Sequence, residues 1–162
     1  MGASICTIET IRMIDVVIVG EEDISSTVLA YETDMHVSLV QTVDFDTIIS
    51  HIAMHRPSII VVDGDDEQID VDILSYVCSL RCPEAQIIVL IEGAPDFQML
   101  QSSGFKVRGY ISREQRPMLA KAIRVIHDGE AWLPRKLVAE MLDYFSTELA
   151  MNSPRKLKLV NS

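Results

Sequence analysis

No apolar run in this chain approaches the ~20 residues that a bilayer-spanning helix needs, and the amino terminus lacks the basic-then-apolar order of an export signal. A soluble, cytoplasmic protein with no membrane attachment is expected. Cysteine is scarce, with three in 162 residues. Cys6, Cys78 and Cys82 are an odd set, and the last two stand one helical turn apart, where a buried thiol is the expectation and no zinc site follows without further ligands. Positive charge is short as well: 14 Lys and Arg against 24 Asp and Glu leave a net charge of -10. That excludes a chain that wraps nucleic acid by itself, because DNA affinity rests mostly on cations meeting phosphates. Also missing are a Gly-rich phosphate loop, a nucleophile elbow and a Cys/His pair, and Gly20 alone makes no dinucleotide fingerprint. Enzymatic turnover is not expected, and no internal repeat or low-complexity block is present.

What the chain does have is enough apolar content, 48%, to fill one core of the usual single-domain size. The most telling segment is Pro57-Ser-Ile-Ile-Val-Val-Asp63, a short β-branched run that delivers one carboxylate to its carboxyl end. In an open α/β sheet, ligand and catalytic groups collect at that end of a strand. A second such run, Ile14–Val19, leads into Gly20-Glu21-Glu22-Asp23, so two strand ends are expected to converge on one acidic pocket. As a bare strand-end carboxylate, Asp63 also suits the role of capping the turn that follows, with Asp65 and Asp66 as turn residues.

Strand and helix patterns alternate along the chain. Strands are expected at Ile14–Val19, Val37–Val40, Ile59–Val62, Ile87–Ile91 and Val107–Ile111. Helices fall near residues 24–33, 45–55, 70–81 and 95–103, with apolar spacings of three and four such as Phe45, Ile48, Ile49 and Ile52. This alternation implies right-handed crossovers and a parallel sheet. Pro117 suits the first turn of a further helix whose apolar face is Met118, Leu119, Ala122, Ile123 and Ile126, and Asp128-Gly129 closes it. A sixth helix follows over 132–145. Its apolar residues Leu137, Met141 and Tyr144, with Ile126, exceed what one small domain needs to cover its sheet, and part of that surface is expected to meet a partner. Nine of the basic residues lie after residue 112, which marks a C-terminal interaction surface or a solvated helix face.

The order of elements, with Gly-Tyr-Ile-Ser-Arg113 and Ala-Ile-Arg-Val-Ile-His-Asp-Gly-Glu130, resembles a response-regulator receiver domain of the NarL/LuxR type. The resemblance implies an α/β fold with a five-stranded parallel sheet, doubly wound as in flavodoxin, plus an extra C-terminal helix. It divides the chain into a receiver-like domain (14–128), the additional helix (129–149) and a linker or tail (150–162), after which a DNA-binding module is expected. It further implies a LuxR-type transcriptional regulator that dimerises, touches DNA only through that absent module, and answers to a histidine kinase. Its chemistry is phosphorylation of an aspartate beside Mg²⁺, for which carboxylate and phosphate oxygens are suited.

Residue by residue, the resemblance puts Asp63 at the phosphoacceptor position and Glu21 at the second acidic position, with Glu22 beside it. Gly20 stands at the first acidic position, so Glu21 and Asp63 leave a weakened Mg²⁺ site. Tyr110 is the aromatic switch residue, and counting from it places Ile91 where a hydroxyl belongs and Arg113 where a lysine belongs. Ile91 has no hydrogen bond to give a phosphoryl oxygen, and Arg113 keeps the charge without the compact ammonium. Control of dimerisation largely without ordinary phosphorylation is therefore expected, or the role of a ligand-free protein-interaction adaptor.

Trp132-Leu-Pro-Arg135 resembles the Trp-[Phe/Leu/Met]-[Ser/Thr]-Arg motif with which VpsT-type regulators bind cyclic di-GMP at a dimer interface. The resemblance implies a nucleotide site at Trp132 and Arg135, where an indole wall and a forked guanidinium suit a guanine. Pro134 departs from the motif, having neither a hydroxyl nor an N–H. The alternative is that Trp132 packs between the last two helices and Pro134 starts the sixth. His36, His51, His55 and His127 have no spacing of a metal triad; His51 and His55, one turn apart, are expected on a solvated helix face.

Overall fold

The computed structural model describes residues 13–20 and 28–152. Its centre is a five-stranded, all-parallel sheet of β1 (Ile14–Val19), β2 (Met35–Val40), β3 (Ile59–Asp63), β4 (Gln86–Ile91) and β5 (Val107–Ser112), in the spatial order β2-β1-β3-β4-β5. The three inner strands are rich in β-branched residues because both faces are covered, with the exposed Asp15 near the start of β1 the one charged interruption. Val17, Val19, Ile60, Val62, Ile87, Val89 and Ile91 enter one apolar layer, while Val16, Ile18, Ile59, Val61, Ile88 and Leu90 enter the other. Each strand thus splits its residues between two cores with period two.

Helices α1 (Phe45–His55), α2 (Val71–Arg81) and α3 (Phe97–Ser102) supply the first layer, and α4 (Leu119–His127) the second. The first three begin in the same way. Asp44, Asp70 and Asp96 are N-caps whose carboxylates accept the N–H of Thr47, Ile73 and Met99 at 3.1, 3.0 and 2.8 Å, each satisfying a donor the helix cannot. α3 closes with a Schellman pattern: Phe105 N–H donates to Leu100 O, and Gly104 N–H to Gln101 O, with Gly104 at φ +68°, a left-handed position that suits glycine. Pro117 lies in a 3-10 turn, Arg113–Met118, just before α4. Arg124 of α4 forks onto Asp34 at 2.8 and 2.9 Å and also pairs with Glu32, tying α4 to the start of β2. Of the helix expected near 24–33, residues 24–27 lie outside the described residues; 28–29 are helical, whereas 30–33 form turn and loop leading into β2, a correction to the expected end of that helix.

The last helix, α5 (Arg135–Asn152), starts later and runs longer than the sequence indicates. Leu137 and Met141 pack on the first core layer, and Tyr144 meets the rings of Phe97 and Phe105 at 5.5 and 5.6 Å. This corrects the expected partner surface. Ile126 and Leu137 are buried, at 1% and 3% exposure, and Met141 and Tyr144 are half-buried; the apolar side chains left outside are Leu142, Leu149 and Met151, with Phe145 partly exposed while its ring packs 4.8 Å from that of Phe105. Helical spacing reveals two apolar rows but not which one faces the core.

Before α5 the chain passes along the edge of the sheet. Trp132 N–H donates to Arg108 O at 3.0 Å and Tyr110 N–H to Trp132 O at 3.1 Å, a one-residue parallel bridge beside β5. The approach is so close that a Cβ on Gly109 would stand 2.7 Å from Ile126 Cδ1 and 3.1 Å from Trp132 Cβ. Gly109→Ala is expected to destabilise the domain by about 1–3 kcal/mol through overpacking. Gly93→Ala, where nothing lies within 4 Å of the added carbon, should change stability by less than about 0.5 kcal/mol. Urea denaturation of the two variants decides, and equal midpoints would refute the packing account.

Candidate functional site

Strand order reverses between β1 and β3, and in such sheets the crevice outside the carboxyl ends at that switch point is where ligands bind. Gly20 follows β1 and Asp63 ends β3. They touch: a Cβ on Gly20 would stand 3.1 Å from Asp63 Cβ. Asp63 is half-buried, and its Oδ1 accepts the Asp65 N–H at 3.1 Å. Asp66 Oδ1 accepts the Gln68 N–H at 3.0 Å in the same fashion. Asp63 therefore does serve the turn that follows it, through one oxygen.

The neighbours of Asp63 are tightly set. Gly64 N–H donates to Leu90 O at 2.8 Å, and a Cβ there would lie 2.5 Å from Val89 Cγ1 and 2.9 Å from Leu90 O, so only glycine fits. Ile91 ends β4, buried, in register with Ser112 of β5. Ser112 has the hydroxyl that Ile91 lacks, but it donates to Gln115 Oε1 at 3.3 Å. Arg113 is turned to Glu92, Nη1 to Oε1 at 3.0 Å, with both side chains largely in solvent. Glu21 and Glu22 lie outside the described residues.

Tyr110 is 3% exposed. Burial, and then the Asp72 carboxylate, push its phenol up to about 12. Tyr110 lines two cavities. One, of about 300 Å³, is lined by Gly64, Asp72, Ile91, Asp96 and Met99 among others. The second, of about 370 Å³, lies on the α5 side and is lined by Pro95, Gln115, Trp132, Pro134 and Arg135.

No protein-family profile matches the sequence, and no curated protein does. Solved structures match. A LuxR-family two-component response regulator from Aurantimonas sp. SI85-9A1 shares 13% identity at a TM-score of 0.67, over 83% of this chain and 99% of that one. The isolated, apo receiver domain of RcsB from Salmonella enterica serovar Typhimurium shares 18% at 0.64, over 80% and 98%. The chain folds as a response-regulator receiver domain. The Salmonella typhimurium RcsB response regulator studied for conformational dynamism in DNA interaction matches at 17% identity and a TM-score of 0.61, over 79% of this chain. The chain spans 66% of that longer protein.

Within the receiver fold, Asp63 occupies the carboxyl end of the central strand, where the phosphoacceptor position was expected. Among the described residues, few side chains beside it can act as ligands. Gly20 contributes no side chain, the buried Ile91 no donor, and Arg113 is paired with Glu92. Among the described residues no three His, Cys, Asp or Glu side chains gather as a metal group. Mg²⁺ is usually held by one or two carboxylates plus phosphate and water, and Asp63 with one oxygen committed to its turn is a meagre share of that set.

The Trp132–Arg135 segment is better organised than a tetrapeptide suggests. Trp132 is half-buried beside the second core layer. Pro134 O accepts the Val138 N–H at 3.1 Å, so proline does start the helix, and Arg135 is exposed in the first turn. Trp132 and Arg135 thus line one cavity together with Tyr110.

The histidine expectation holds for His55, which is exposed, and is corrected for His51. His51 and His55 stack at 3.9 Å with rings 15° apart, and His51 is half-buried with Nε2 3.2 Å from the Ser38 hydroxyl. Burial first, then the charge of His55, hold the His51 pKa below its ordinary 6.5. The folded state favours the neutral ring, so this stabilisation is present above pH 6.5 and is lost as pH falls through the lowered folded value. His51→Gln is expected to lose less stability than the parent between about pH 7 and 5. Parallel pH profiles from chemical denaturation would contradict this.

Proposed function

We propose that this receiver domain is a regulatory, non-enzymatic module of a LuxR-type transcriptional regulator that works by self-association through α5, largely without aspartyl phosphorylation. The observation that carries the reading is the apolar row on α5. Val138, Leu142, Phe145 and Leu149 follow one another at spacings of four, three and four, the seam of a paired helix. Leu142 and Leu149 are 61% and 72% exposed, and the row contains no charge to oppose its own copy. A second copy of the chain is the occupant that fits such a row. Pairing there would set the distance between two DNA-binding modules carried elsewhere in the protein, as the DNA interaction described for RcsB suggests. The net charge of -10 leaves DNA contact to that module.

The pocket favours the phosphorylation-independent half of this reading. With Gly20, Ile91 and a diverted Arg113, beryllofluoride plus Mg²⁺ is expected to leave the oligomeric state unchanged. Sedimentation should show a dimer at micromolar concentration, converted to monomer by Leu142→Glu. A monomer throughout, or a dimer formed only with beryllofluoride, would overturn the proposal.

A second reading is favoured by the cavity that joins Trp132 to Arg135: the domain takes cyclic di-GMP there. Loss of a charged, forked contact costs about 1.5–3 kcal/mol, or roughly ten- to a hundredfold in affinity. Because Pro134 removes a phosphate donor, no heat of binding is expected in calorimetry. Micromolar binding abolished by Arg135→Ala would establish the nucleotide site instead.

A further inference from the structure

The face that α2 turns to the sheet contains one side chain out of keeping with a core. Leu74 and Cys78 join the apolar layer, but Ser75 beside them is 1% exposed and, among the described residues, its hydroxyl has no hydrogen-bond partner. Buried hydroxyls in native proteins nearly always have a partner, because an unmet one forfeits its hydration. Ser75 lines a cavity of about 240 Å³ with Cys78, Ser79, Gln86, Lys106 and Arg108. Gln86 and Val107 begin β4 and β5, so this cavity lies at the amino ends of the strands, away from Asp63.

Its charge runs against that of the protein. The chain has a net charge of -10, yet the charged residues lining this cavity are Lys106 and Arg108. Among the described residues neither is paired with a carboxylate, and Glu84, close in sequence, pairs with Arg56 at 3.8 Å. Arg108 Nε donates to Gln86 Oε1 at 3.2 Å, which steadies the guanidinium while leaving its Nη groups for an acceptor. The Cys78 thiol, pushed up to about 11 by burial, adds no negative charge.

We propose that this cavity binds a small solute through an oxyanion, a phosphate or a carboxylate, held by Lys106 and Arg108 and accepting a hydrogen bond from Ser75. A cation pair supplies attraction and a desolvated hydroxyl supplies direction, and a charge-assisted bond is the stronger kind available to it.

Titration of the full chain with inorganic phosphate and, separately, acetate, each against sodium chloride at equal ionic strength, tests this by amide chemical shifts and thermal unfolding. Saturable shifts at Ser75, Lys106 and Arg108 and a raised unfolding midpoint are expected with at least one of the two, and the one that acts identifies the head group. Arg108→Gln should weaken binding about tenfold or more. Ser75→Ala should separate the two states: the free protein unfolds at the same or a higher temperature, because an unmet hydroxyl is gone, while anion affinity falls several-fold. Shifts no different from those in chloride would overturn the proposal. So would undiminished binding by both variants, or a Ser75→Ala protein that unfolds earlier without ligand, since the hydroxyl would then have a partner within the fold.

Discussion

Strand β3 lies between β1 and β4 with both faces buried, and a strand so placed has no tolerance for a polar side chain along its length. The chain meets this constraint by making Ile59–Val62 wholly aliphatic and letting polarity return at Asp63, where the strand leaves the sheet. The remaining geometry follows from that placement. Reversal of strand order puts Gly20 against Asp63, the bend after Asp63 demands a residue without a Cβ at Gly64, and Ile91 closes the adjoining strand end. The same burial that makes the core also decides which groups reach the crevice.

Much of the architecture is legible in the sequence for this reason. Runs rich in β-branched residues locate the inner strands to within a residue, because two-sided burial leaves little alternation to confuse them. Ile14–Val19 coincides with the observed strand, and Asp63 stands at the expected strand end. The edge strand β2 is less legible: His36 and Ser38 interrupt its apolar pattern, and it begins two residues earlier than expected. Helix α5 shows the opposite limit, since its two apolar rows are equally visible in the sequence and only the packing of Leu137, Met141 and Tyr144 on the first core layer and on Phe97 and Phe105 decides which one is buried.

The candidate site is legible in its identities but not in its relations. Sequence position marks Ile91, Tyr110 and Arg113, whereas the pull of Glu92 on Arg113 and the two cavities that Tyr110 lines depend on contacts between distant elements, and the capture of the Ser112 hydroxyl by Gln115 on the geometry of the turn. The Arg124 fork onto Asp34 joins residues 90 apart in the chain, and the unmet Ser75 hydroxyl shows only once its neighbours are placed. Local pattern contains neither.

The bridge between Trp132 and Gly109 has a mechanical consequence. A single residue, hydrogen-bonded on both sides of Gly109, clips the segment leading into α5 onto the outermost strand, and Gly109 lets it lie almost flush against Ile126. Those two backbone bonds straddle Gly109, one accepted by Arg108 and the other donated by Tyr110 itself. A twist or pull on the last helix is therefore borne by the strand that holds the buried phenol, over a lever only a few residues long. The same clip occupies part of an open sheet margin that would otherwise offer its unpaired amides to a neighbouring molecule.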